Sequence, residues 1–189
     1  MASPLKQRIL DTADTLFYAE GVRAIGIDRI IAESGVAKAS FYRFFASKDI
    51  LIAEWIQMRD RAWRLWLEDS VGTLSPQAKG RPLAVFDALY ARFSAPGFRG
   101  CAFTNTIIEF SNAEHPGALA ARAHKQQVVA LLERYLVDAG QATGVAAAAL
   151  ALDLMLLVDG ALVTALREQK PEAALRAKRI ARLLLSDSD

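Results

Sequence analysis

One cysteine, Cys101, in 189 residues leaves no internal disulfide to hold this chain together. The thiol reads as a small apolar residue in a reducing compartment. Only two histidines accompany it and no acids cluster near them, so neither a metal site nor another cofactor is expected. Glycine and proline are sparse, at 11 and 6, and no segment alternates apolar and polar residues. Strands are thereby excluded and an all-α protein is expected. Charge of one sign is also missing. The 23 Lys and Arg nearly balance 21 Asp and Glu, for a net charge of +2, so any electrostatic signal has to be local. There is no G-x-S-x-G elbow, no phosphate-cradling glycine loop and no H-E-x-x-H. Cys101 has no recognisable His and Asn or Asp partners in the sequence. An enzyme is therefore not expected.

What the chain does have is apolar residues. They make up 53%, ample for a core in one or two small domains. The most apolar segment, Val145–Val163, is about as long as a membrane span. Asp153 and Asp159 would be costly in hydrocarbon. A helix buried in a protein interface is expected there instead, with no membrane partner. No charged-apolar-small leader opens the sequence, and a cytoplasmic protein is expected.

Punctuation by glycine, proline and hydroxyl residues predicts about nine helices. Ser3 caps the first, Pro4 opens it and Gly21 ends it, with Leu5, Ile9, Ala13, Leu16 and Phe17 as its apolar stripe. The second covers Ile27–Ser34, between Gly26 and Gly35, with Ile27, Ile30 and Ile31 turned one way. A short third spans Ala39–Phe45. Ser47 caps a long fourth from about Lys48, whose stripe runs Leu51, Trp55, Met58, Ala62, Leu65, Trp66 and turns polar at Asp69. Gly72–Pro82 reads as a linker. The other five are expected over about Leu83–Ser94, Ala102–Asn112, Ala118–Asp138, Val145–Gln169 and Pro171–Leu185, with a frayed tail at 186–189.

The stretch with the sharpest pattern is GVAKASFYRFFASKD, residues 35–49. Phe41, Tyr42, Phe44 and Phe45 flank Arg43, and no acid lies between Glu33 and Asp49. At about 100° per residue, Phe41, Phe44 and Phe45 share one face of a helix. Ala39, Ser40 and Arg43 lie opposite, with Tyr42 on the flank. A helix of about two turns is marginal alone, so three phenylalanines are expected to anchor it. Three short helices before a long one, with a tight Gly35–Val36 turn between the second and third, form the layout of a helix-turn-helix DNA reader. The major groove admits one helix, whose first residues meet the base edges. Ala37, Ala39 and Ser40 are small enough for close approach, and Lys38, Tyr42, Arg43 and Lys48 can reach phosphates or bases. The alternative, a helical adaptor that binds protein through the Trp-rich fourth helix, leaves Lys38, Arg43 and Lys48 unexplained.

Gly21–Ile56 resembles the DNA-binding region of the tetracycline-repressor (TetR) family of bacterial transcriptional regulators. The matching elements are Gly21, Ile27 and Ile30, then GV.K, YRFF.SK and Leu51, over about a quarter of the chain. Phe98–Phe110 also resembles a segment at the sixth helix of one branch of that family. The chain departs from the pattern at Ile25 and Gly26, where Thr or Ser is usual. Ala37 and Ala39 stand where Ser and Gly are common, and Ala46 replaces Pro. These departures shift the burden of DNA contact onto Lys38, Ser40, Tyr42, Arg43 and Lys48. The full candidate DNA-contacting set is Gly26, Arg29, Ala37, Lys38, Ala39, Ser40, Tyr42, Arg43 and Lys48.

The resemblance further implies a DNA-binding domain over residues 1–48 and a ligand-binding and dimerisation domain over 49–189. It implies a homodimer built from the last two helices. The dense apolar faces of Leu152, Met155, Leu156, Gly160 and Val163, and of Leu175, Ile180, Leu183 and Leu184, agree independently. It also implies a pocket for an apolar or aromatic small molecule, with Trp63, Trp66, Phe86, Tyr90, Phe103, Asn105, Ile108 and His124 as candidate lining. His115, beside Pro116 in an expected loop, reads as solvated. Together these point to a repressor that holds a double-stranded operator and is released by its effector. The stripe from Leu51 to Trp66 is the expected link between the two domains.

Overall fold

The computed structural model describes residues 3–186, and within them nine α-helices follow one another with no strand. They are α1 (Pro4–Glu20), α2 (Ile27–Ser34), α3 (Lys38–Phe44), α4 (Lys48–Leu74), α5 (Arg81–Ser94), α6 (Ala102–Glu109), α7 (Pro116–Asp138), α8 (Gly144–Glu168) and α9 (Ala173–Ser186). The all-α expectation holds. Of the tail expected to fray, 187–189 lie outside the described residues.

Local chemistry sets the helix ends. Pro4 sits in the first turn of α1, and Gly21 closes it at φ 90, donating its amide to the Phe17 carbonyl. Ser3 begins the helix through its backbone, its carbonyl accepting the Gln7 amide at 3.0 Å, while its side chain makes no capping bond. Ser47 Oγ does accept the Ile50 amide, at 3.3 Å, at the head of α4. The expected linker is largely helical. α4 runs on to Leu74, a single 3-10 turn takes Ala78–Gly80, and α5 starts at Arg81. Pro82 lies in the first turn of α5, where its missing N–H costs nothing.

Contacts divide the chain into two compact units. The first takes the residues through Arg61 together with Ala102–His124; the second takes Ala62–Cys101 and the residues from Lys125 on. This division does not fall at residue 48, because Leu51, Ile52, Trp55 and Ile56 of α4 belong to the buried interior of the first unit. There α1 packs on α2 and α3, around Ile9, Ala13, Phe17, Ile25, Ile30, Phe41 and Phe45. In the second unit α8 packs on α9 and α5 on both. Phe86, Leu89, Leu132, Leu136, Leu154 and Val158 lie at the centre of its core.

The stripe expected along α4 is corrected. Leu65 and Ala62 are exposed and Met58 is half-buried, while the buried side carries Ile52, Ile56, Asp60, Leu67 and Val71. The expected positions repeat every seven residues, and a straight helix drifts about 20° per heptad away from such a series. Charge hid the true stripe as well, because Asp60 stands in its middle. Asp60 is buried there opposite His124, whose Nδ1 lies 2.7 Å from Oδ1.

α8 is long and apolar enough to cross a membrane by length and composition. Its Ala151, Leu154, Val158, Leu162 and Ala165 are spent on the core of the second unit, and Asp159 pairs with Lys125.

Candidate nucleic-acid interface

The turn between α2 and α3 is built around Gly35, whose φ of 62 falls in the left-handed region that side chains disfavour. The Gly35 amide bonds back to the Ala32 carbonyl, and Arg8 of α1 donates to the Gly35 carbonyl at 3.3 Å. Val36 is buried behind the turn. Ala37 then sits in extended conformation as the residue before α3, and its carbonyl accepts the Ser40 and Phe41 amides at 2.8 and 3.1 Å.

α3 is held from one side. Phe41 and Phe45 have no solvent exposure at all, and their rings lie 5.8 Å apart. Phe44, expected as a third anchor, is only half-buried and carries the Arg43 guanidinium 4.8 Å above its ring. The helix ends at Phe44 and the backbone turns extended at Phe45, and it is Phe45 that supplies the second fully buried ring. Lys6 of α1 covers the outer face of Phe45, 5.3 Å from its centroid.

The opposite edge is open. Ala37, Lys38, Ala39, Tyr42 and Arg43 are exposed and Ser40 is half-buried. Tyr42 is 45% exposed and leans edge-on against Phe41, 5.4 Å away. Lys38 lies 3.3 Å from Asp28, with both side chains mostly in solvent. Such a contact is worth little and is easily exchanged for a phosphate. Gly26 caps α2 in extended conformation with open space where a Cβ would stand. Lys48 is half-buried and donates to the Arg23 carbonyl at 3.4 Å. Burial pulls its ammonium below the usual lysine range.

Arg29 differs from the rest of the candidate set. Its fork takes both carboxylate oxygens of Glu20 at 2.8 Å each, and its Nε donates to Glu33 at 2.7 Å. These bonds raise its already high pKa further. Its donors tie α2 to the end of α1 through an exposed guanidinium.

Sequence reasoning passed over polar residues that hold the first unit together. Asp14 of α1 accepts Trp55 Nε1 at 2.6 Å and pairs with Arg59, whose guanidinium lies 4.2 Å over the Tyr18 ring. His115, expected as solvated, is buried. Its ring stacks on Phe110 with centroids 3.5 Å apart, its Nδ1 accepts the Gly117 amide at the head of α7, and its Nε2 lies 3.2 Å from Asp49. A histidine beside a proline reads as loop chemistry, and nothing local signals that it caps a helix.

The candidate pocket residues divide between the units. Trp63, Trp66, Phe86 and Tyr90 belong to the second, where Phe86 is wholly buried in the core and the Trp63 and Trp66 rings lie 5.8 Å apart, tilted by 59°. Phe103 and His124 of the first unit stack at 3.4 Å. Asn105 and Ile108 are exposed, Ile108 at 75%, on the side of α6 away from Phe103, so they do not line a space with it. Among the candidate dimer residues, Leu152, Leu156, Gly160 and Val163 of α8 and Leu175, Ile180 and Leu183 of α9 are exposed. Met155 is instead part of the core of its own chain, and Leu184 packs against that core. Met155 lies about 60° around α8 from Leu152, far enough to turn it inward.

Four likenesses bear on this arrangement. A family model described as bacterial regulatory proteins, tetR family, matches residues 9–55. A TetR-family transcriptional regulator from Streptomyces coelicolor is 35% identical and superimposes with a TM-score of 0.86, covering 98% of this chain and 90% of that one. The chain belongs to the TetR family of transcriptional regulators. A TetR-type regulator from Streptomyces avermitilis is 26% identical with a TM-score of 0.77, covering 95% of this chain and 99% of that one. YxaF, an HTH-type transcriptional regulator of Bacillus subtilis, is 45% identical over 40 residues, which is 21% of each chain. This TetR-family protein is thus a DNA-binding transcriptional regulator, and the matched segment contains α2, the Gly35 turn and α3.

Proposed function

We propose that the protein is a homodimeric repressor that grips an operator with α3 and lets go when a small molecule binds it. The observation that carries this reading is the split of α3 into a buried side, Phe41 and Phe45, and an open edge of Ala37, Lys38, Ala39, Tyr42 and Arg43. In a major groove the small residues allow close approach, while Lys38 and Arg43 reach phosphates or bases and the Tyr42 hydroxyl takes a backbone oxygen. Ser40 and Lys48 complete the contacts, and Gly26 leaves the approach to α2 unobstructed. Arg29 is left to its structural pairing. The functional division at residue 48 is retained in this reading, with the effector bound by the remainder of the chain.

A second copy is supported by apolar side chains that one chain leaves in water. Leu152, Leu156, at 74% exposure, and Val163 form one side of α8, and Leu175, Ile180 and Leu183 lie on the outer side of α9. A two-fold pairing there would place two α3 edges for successive major grooves, about 34–36 Å apart. The effector would act through a coupling free energy of about 1–3 kcal/mol between its site and the DNA edge.

The test is operator affinity, measured on DNA flanking the protein's own gene, for the parent, Arg43→Ala and Tyr42→Ala. Arg43→Ala should weaken binding and lower the slope of log affinity against log salt by about 0.9. Equal affinity of both variants and the parent across the salt range would mean that another surface binds DNA. Sedimentation of Leu156→Glu should show loss of the dimer, and an unchanged dimer would move the interface elsewhere.

A further inference from the structure

Glu109, the last residue of α6, sets its carboxylate into a cradle made by the turn between α1 and α2. One oxygen accepts the Val22 amide at 3.3 Å and the other accepts the Arg23 amide at 2.8 Å. The Arg23 guanidinium donates back to the Glu109 carbonyl at 3.3 Å. A Cβ on Gly21 would stand 3.0 Å from the same carboxylate, so this glycine both ends α1 and leaves room for Glu109. On its other side Arg23 offers its carbonyl to the Lys48 ammonium. Glu109, Arg23 and Lys48 therefore form one hydrogen-bonded series from α6, through the turn, to the first residue of α4.

We propose that Glu109 is a positioning residue for DNA binding: by gripping the Val22 and Arg23 amides it fixes the Arg23 carbonyl, which aims the Lys48 ammonium at an operator phosphate. This rests on the reading of Lys48 as a phosphate contact and reaches beyond it, since Glu109 lies outside the helix-turn-helix and has the wrong charge to touch DNA. That charge makes the two explanations separable. A carboxylate near a phosphate backbone repels it, so electrostatics alone predicts tighter DNA binding once the charge is gone. Positioning predicts weaker binding.

The experiment compares the parent, Glu109→Ala, Glu109→Gln, Lys48→Ala and the Glu109→Ala, Lys48→Ala double variant. Each is checked for folding by circular dichroism and thermal melting, then titrated against the flanking DNA fragment over a range of salt. Glu109→Ala should bind about tenfold more weakly, the scale of one charge-assisted hydrogen bond. Its salt slope should fall by about 0.9, as for one lost phosphate contact, which a purely structural defect would not produce. Glu109→Gln, whose amide oxygen keeps one acceptor, should fall between parent and Glu109→Ala. The double variant should bind no more weakly than Lys48→Ala alone. Equal or tighter binding by Glu109→Ala, an unchanged slope, or additive losses in the double variant overturns the proposal. If Glu109→Ala does not fold, Glu109→Gln decides: weaker binding supports positioning, and binding as tight as the parent or tighter overturns it. A parent protein that shows no salt-dependent binding would sink the DNA reading of Lys48 itself, a result distinct from any of these.

Discussion

α3 begins on a residue that cannot cap it. Ala37 holds φ −66 and ψ 143, the conformation of an N-cap, and no side-chain bond closes the helix start. Ala37→Ser places an oxygen where it can accept the Ala39 or Ser40 amide. Replacing a hydroxyl cap by alanine costs about 0.5–2 kcal/mol, typically about 1, so the reverse change should stabilise by about 1 kcal/mol. Gly26 caps α2 in extended conformation with free space around its Cα. Glycine is already a tolerable cap, and Gly26→Ser should add only a few tenths of a kcal/mol. Ala39 lies inside α3, where serine is a poorer helix former, so Ala39→Ser should lose up to about 0.5 kcal/mol. All three positions are exposed, so core packing does not enter the comparison. Urea unfolding at one fixed protein concentration gives the stabilities, with the slope constant across the series. For a chain of this size the Ala37→Ser gain corresponds to about 2–4 °C in Tm. Hydrogen exchange of the α3 amides should slow in Ala37→Ser and not in Ala39→Ser. An order other than Ala37→Ser above Gly26→Ser above Ala39→Ser would refute the capping argument.

Other outcomes follow from contacts within each of the two units. Asp14→Ala strips the partner from Trp55 Nε1 and Arg59 together and should cost about 1.5–3 kcal/mol in urea unfolding, with Asp14→Asn costing less because it keeps an acceptor. At Gly117 an added Cβ would lie 2.5 Å from the Ile52 methyl, which is fully buried and cannot yield. Overpacking costs about 1–3 kcal/mol and helix propensity returns about 0.5–1, so Gly117→Ala should destabilise by roughly 1 kcal/mol on thermal melting. Hydrogen bonds from Arg176 and then Arg167 hold the Glu168 carboxyl below its ordinary value of 4.5. A lowered carboxylate pKa stabilises the fold above the unfolded value, and that contribution is lost as pH falls through the folded one. Stability of Glu168→Gln should therefore fall less steeply than the parent's below about pH 4.5.

Helix ends were the most legible feature of the sequence, because glycine and proline act locally. Ile27–Ser34 between its two glycines is the clearest case, and the turn at Gly35 needed only the residue itself. The faces of helices were less legible wherever a polar side chain is satisfied by a distant partner. Asp60 interrupts the apolar series on α4 in the sequence, yet its bond to His124 makes it part of the buried side. His115 looked like loop chemistry until Asp49, Phe110 and Gly117 surrounded it. Arg29 looked available for DNA, and only the fold brings Glu20 within reach of its fork. Met155 shows the limit of a dense apolar list, since hydrophobicity alone does not separate a chain's own core from a surface awaiting a second copy. Open edges made of small residues and bases, such as Ala37, Lys38, Ala39 and Arg43, were readable because no interior would accept that mixture.

The division of α3 into an anchored back and a free front also has an evolutionary side. Phe41 and Phe45 carry the folding constraint, while the outward positions contribute almost nothing to the interior. Mutations at those positions can therefore accumulate without unfolding the protein, and a randomised library there should yield mostly soluble variants. A lineage built this way can be retargeted to new binding sequences by drift alone, keeping one scaffold while its address changes.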